Sequence, residues 1–131
     1  MSLTPVISIE DLTIELPSWS DRPRAVDGVS LEIMPNEILC IVGESGSGKT
    51  VMSKSILRLL PEPHVRVSKG RIIFENRDLL TQNEETIRDI RGARISMIFQ
   101  EPMTALNPLM RVGRQIDEIP QVHTPLDPDA R

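Results

Sequence analysis

Ile38-Leu39-Cys40-Ile41-Val42-Gly43-Glu44-Ser45-Gly46-Ser47-Gly48-Lys49-Thr50 decides the reading of this chain. Gly43 to Thr50 matches G-x-x-x-x-G-K-[ST], the phosphate-binding P-loop. The five residues before it are apolar without interruption and read as a buried strand. Val51 to Leu60 reads as an amphipathic helix, so strand, glycine loop and helix follow one another as the motif requires. A flexible Gly/Ser linker would not sit between an apolar strand and a helix. Gly43, Gly46 and Gly48 let successive backbone N–H groups turn toward an anion with no Cβ in the way. The helix that follows adds its positive N-terminal end. Lys49 brings a full charge to the β- and γ-phosphates, and the Thr50 hydroxyl suits a Mg²⁺ ion carried by them. Ser45 and Ser47 are small polar residues that fill the loop beside these groups.

Outward from the loop, Val6 to Leu16 alternates with a phase change at its middle, the signature of a bulged strand. Val29, Leu31 and Ile33 alternate with polar residues and predict a second strand. Met34-Pro35-Asn36-Glu37 predicts a turn, with Asn36 at positive φ, that makes a hairpin into the P-loop strand. Pro61-Glu62-Pro63 stops the first helix. Arg71 to Phe74 reads as a short strand, Thr81-Gln82-Asn83-Glu84 as a capping box opening a charged helix that ends near Gly92, and Arg94 to Phe99 as another strand. Gly113 to Ile119 is weakly helical, and Pro120 to Arg131 shows no periodicity. The expected fold class is α/β with an antiparallel flank.

The chain has 131 residues, 39% hydrophobic and 26% charged, which is globular composition with enough length for one core. A net charge of −4 gives no nucleic-acid footprint. The single cysteine, Cys40, sits mid-strand and reads as a small buried hydrophobe. No apolar stretch approaches the ~18 residues of a membrane span, and no signal peptide is visible. The expected location is therefore cytoplasmic. His64 and His123 read as ordinary surface residues.

The P-loop alone spans kinases, GTPases and ATPases. Arg94-Ile95-Ser96-Met97-Ile98-Phe99-Gln100-Glu101-Pro102-Met103-Thr104-Ala105-Leu106-Asn107-Pro108 narrows it, because it resembles the Gln-loop of ABC transporter ATPases. The resemblance is strongest to the subgroup serving dipeptide, oligopeptide and nickel importers. Ala25-Val26-Asp27-Gly28-Val29-Ser30, the octet Gly43 to Thr50 and Ile90 to Ile95 resemble the same subgroup, in order, from about Val6 to Ile119. The resemblance implies a P-loop NTPase fold of the ABC ATPase type, and ATP and Mg²⁺ as cofactors. The implied partners are transmembrane permease subunits and a second ATPase subunit, which would place the chain on the inner face of the cell membrane. Gln100 would contact Mg²⁺ and the attacking water. Trp19, one of three aromatic residues with Phe74 and Phe99, would stack on adenine, and Val26 would lie beside the nucleotide. Asn36 departs from the family's Pro-Gly-Glu turn.

No LSGGQ-like signature and no four apolar residues followed by Asp-Glu occur in the sequence. The expectation is one partial domain, the N-terminal part of a longer protein. Residues 1–42 would hold antiparallel strands leading into the P-loop strand, 43–60 the loop and its helix, and 61–100 the elements up to Gln100. Residues 101–131 would start a helical subdomain. Such a chain alone would not turn over ATP, and the open edge of its P-loop strand would favour self-association. A non-hydrolysing nucleotide-binding or regulatory module that pairs with another chain is the alternative. A P-loop kinase is a third reading, opposed by Gln100-Glu101-Pro102.

Overall fold

A computed structural model describes residues 4–101 and 106–124. The chain forms two compact units, Met1–Gln82 and Asn83–Arg131.

The first unit is built on four antiparallel strands in the order β2-β1-β3-β4: β1 (Ile7–Glu15), β2 (Arg24–Ile33), β3 (Arg66–Phe74) and β4 (Arg77–Asp78). β1 and β3 are the inner strands, and β1 carries the most buried side chains. Ile9, Leu12 and Ile14 are essentially inaccessible, as is Ile72 opposite Ile9 on β3. The expected phase change is real. Asp11 takes φ +47°, the pairing with both neighbours slips between Ile9 and Thr13, and Ile7 and Ile9 are thereby brought onto the buried face with Leu12 and Ile14. Gly28 (φ +63°) meets the same bulge from β2, its N–H donating to Thr13 Oγ1 at 3.1 Å. Gly70 meets it from β3, where φ is +101° and a Cβ would lie 2.6 Å from the backbone of residues 10, 11 and 12.

The turn after β2 forms as expected, with Asn36 at φ +60° and the Glu37 N–H donating to the Met34 carbonyl at 3.2 Å. The strand expected beyond it does not. Ile38 to Val42 pairs with no strand among the described residues. It keeps strand-like alternation, with Leu39 and Ile41 39% and 44% exposed against 90% and 89% for Ile38 and Val42. Cys40, expected buried, is exposed. An apolar run on both faces needs ladder partners on both sides, and the expected hairpin with β2 does not form, which leaves β2 an edge strand of the sheet.

Helix α1 (Lys49–Ile56) begins in the P-loop and lies against β2. It ends earlier than expected, because Leu57 leaves the helix and Arg58 takes φ +52°. β3 is longer than its apolar stretch suggested, since its first half, Arg66 to Lys69, is mostly polar and exposed.

In the second unit, α2 (Glu84–Ile90) starts after Asn83, whose Oδ1 accepts from Thr86 N–H at 2.8 Å. The cap is therefore Asn83 rather than Thr81. The strand expected over Arg94–Phe99 is a turn closed by a single bridge between Arg91 and Ile95. Residues 96–99 have no ladder, and Ile98 is 94% exposed. Helix α3 (Val112–His123) runs through Pro120, where the sequence reading ended it. Among the described residues no helix is long and apolar enough to cross a membrane.

Candidate functional site

Gly48 fixes the geometry of the loop. It is the N-cap of α1 with φ +100°, and a Cβ there would lie 2.1 Å from the Ala25 carbonyl oxygen. The start of β2 thus abuts the last glycine of the loop, and Ala25 and Val26, both buried, form its floor. Gly46 (φ +77°) has nothing within 4 Å of where a Cβ would stand, so it needs glycine for its backbone angle rather than for space.

Lys49 reaches back over the loop. Its Nζ donates to the carbonyls of Gly43 and Glu44, both at 2.7 Å, and to Ser47 Oγ at 3.2 Å. The ammonium therefore stands inside the curve of the loop. Arg22, from the loop between β1 and β2, donates through Nη2 to the Gly46 carbonyl. Two concavities flank this arrangement. One, of about 320 Å³, is walled by Val26, Val29, Leu31, Ile41 and Val42 and floored by Gly43, Ser47, Gly48 and Lys49. The other, of about 280 Å³, is lined by residues 46–51 together with Leu16, Arg22 and Ala25. Backbone donors, two cations and an adjoining apolar wall form a setting for a phosphorylated ligand with an organic portion.

Residues 26–129 match the family model described as ABC transporter. The chain belongs to the ABC transporter family. It is 48% identical over 119 residues to the peptidoglycan transport ATP-binding protein YejF of Agrobacterium fabrum, covering 91% of this chain and 22% of that protein. To the Bacillus subtilis oligopeptide transport ATP-binding protein OppD it is 41% identical, covering 98% of this chain and 36% of OppD. To the dipeptide transport ATP-binding protein DppD of the same organism it is 48% identical, covering 86% and 34%. The chain thus spans between about a fifth and two-fifths of the length of these relatives. A bacterial Atm1-family ABC exporter with ATP bound matches in fold, with a TM-score of 0.52 and 19% identity over 70% of this chain and 15% of that one.

For a member of the ABC transporter family, the site residues singled out from the sequence fall into three groups. Gly43, Gly46, Ser47, Gly48, Lys49, Thr50 and Val26 converge on the loop and its two concavities. Ser45 is exposed at the loop's tip. Trp19 is 73% exposed, and its indole meets the His64 ring edge-on at a centroid distance of 5.3 Å. Gln100 is exposed in a bend of the second unit, and residues 102–105 of its segment lie outside the described residues. His64 is exposed as expected, whereas His123 is partly buried, its Nε2 3.3 Å from where a Cβ at Gly92 would stand. Sequence reasoning did not single out Arg22. It belongs to no motif, and its only signal was its place in the loop before the strand that supports Gly48.

The oxygen chemistry for Mg²⁺ fits. Among the described residues no group of three His, Cys, Asp or Glu side chains could hold a metal. A hydroxyl such as Thr50's, with phosphate oxygens and water, is the donor set a hard, phosphate-borne cation takes.

Proposed function

We propose that this chain binds Mg-ATP and Mg-ADP through residues 43–50, as the ATP-binding portion of an ABC importer for peptides or related solutes. The observation that carries the reading is Lys49 Nζ standing inside the loop, held only by loop oxygens, where phosphate oxygens replace them. Relatives named for peptide, dipeptide and oligopeptide transport support the substrate class. Permease subunits and a second ATPase subunit are the proposed partners, and the cytoplasmic side of the membrane the proposed location.

Lys49 holds the β- and γ-phosphates, and the loop amides orient them. Mg²⁺, when bound, offsets phosphate charge, with Thr50 as its proposed protein ligand. Trp19 is assigned the adenine face. Its support is its loop, whose two ends, Leu16 and Arg22, border the concavity beside Thr50 and Val51.

Calorimetry with Mg-ADP tests the reading. Loss of a charge-assisted contact in Lys49→Ala is expected to weaken binding by about 10- to 100-fold. Equal affinity in wild type and variant would refute it. In the same titrations Trp19→Ala is expected to weaken ADP more than pyrophosphate; equal losses would assign the indole to packing on His64.

A further inference from the structure

Two groups of cations in the first unit contrast. Arg24, Arg66, Lys69 and Arg71 each meet a carboxylate, on Asp27, Glu15, Asp11 and Glu10 respectively. Arg22 and Lys49 meet none among the described residues, and both donate to oxygens of the same glycine loop, Arg22 to Gly46 and Lys49 to Gly43, Glu44 and Ser47. A guanidinium spends little of its hydrogen-bonding capacity on one carbonyl. It has five N–H donors in a planar fork suited to phosphate oxygens, and it stays charged at any physiological pH.

Its position adds to this. Arg22 borders the 280 Å³ concavity that is also lined by residues 46–51, the loop's last amides among them. A phosphate chain bound on those amides would run past the guanidinium. Arg22 reaches the loop through Gly46 and Lys49 through Gly43, Glu44 and Ser47, so the two cations meet different oxygens of the loop instead of duplicating one contact.

We propose that Arg22 is a second phosphate-binding cation of this site, anchored on the Gly46 carbonyl and contacting the bound nucleotide's phosphate chain. The assignment rests on the nucleotide reading above. It makes the loop between β1 and β2 part of the binding machinery through a side chain that no motif marks. The rival account is a latch, in which Arg22 only steadies the loop through Gly46.

Charge and latch separate in the 131-residue chain. Arg22→Gln keeps an amide donor for the Gly46 carbonyl but removes the charge, Arg22→Lys keeps the charge, and Arg22→Ala removes both. All three substitute an exposed loop residue, and thermal unfolding checks that the fold is intact. Titrating Mg-ADP and pyrophosphate at low salt, Arg22→Ala and Arg22→Gln are each expected to bind both ligands about five- to tenfold more weakly than wild type, with Arg22→Lys in between. The deficit should narrow in high salt, as a charge contribution does. Wild-type affinity in Arg22→Gln overturns the proposal, whether Arg22→Ala is weakened, which would make Arg22 a latch, or not. Lys49→Ala in the same series keeps the two readings apart. If Lys49→Ala loses affinity while Arg22→Gln does not, only the assignment of Arg22 falls. If Lys49→Ala binds as wild type does, the nucleotide reading falls and this one with it.

Discussion

Two glycines of one loop do different work. At Gly48 both the backbone angle and the space demand glycine, because a Cβ would collide with the Ala25 carbonyl at 2.1 Å. At Gly46 only the angle does. Gly46→Ala should therefore cost about 1 kcal/mol, the ordinary strain of an L-residue in left-handed space. Gly48→Ala must also push β2 away from α1, and should cost more than about 3 kcal/mol. Thermal unfolding reads the difference, at roughly 4 °C per kcal/mol for a chain of this size. Similar midpoints for the two variants would mean that Ala25 and Gly48 are not in contact. The result bears on function, since whatever separates β2 from Gly48 also moves Ala25 out of the wall of the concavity that Arg22 borders.

At the scale of elements, the bulge in β1 organises the sheet. Gly70 faces it at φ +101° with three backbone atoms 2.6 Å from a would-be Cβ, so Gly70→Ala should lower the urea midpoint by the equivalent of about 3 kcal/mol or more. Gly113, in α3 with nothing nearby, is the control, where alanine should be neutral or stabilising by about 0.5–1 kcal/mol. Local chemistry made much of this legible beforehand. The β1 phase change, the Asn36 turn and the glycine loop each depend on a few adjacent residues, and each forms. What sequence could not supply was pairing. Ile38 to Val42 and Arg94 to Phe99 have strand composition, yet a strand exists only where another chain segment offers its N–H and C=O groups. β3 shows the converse, with Arg66 to Lys69 drawn into the sheet by partners on β1 despite their polarity. At the site, the motif residues were legible because their spacing is their function. Arg22 was not, because a bond from a loop to a carbonyl distant in sequence leaves no periodic trace.

The molecule as a whole carries uncovered apolar surface in both units. Ile38 and Val42 stand open at the P-loop, and on α3 Val112, Ile116, Ile119 and Val122 form an exposed stripe at helical spacing. Surfaces of this kind associate. Light scattering of the isolated chain should give a mass above that of the monomer at tens of micromolar, and Ile38→Lys, which places a charge on the open segment, should shift it toward monomer. A monomer at every concentration would show that these side chains find cover within one chain.

The sheet also constrains what form association can take. On β1 the charged residues facing β3 are all acids, Glu10, Asp11 and Glu15, and on β3 their partners are all bases, Arg71, Lys69 and Arg66, at 2.5, 2.6 and 3.0 Å. Each exposed pair adds little stability on its own. Their sorting by strand acts as a polarity code. Two β1 strands brought together from different copies would set acid against acid, and two β3 strands base against base. Of the pairings between copies that involve β1 and β3 alone, only β1 of one with β3 of the other sets acid against base, which repeats the pairing already made within a single chain.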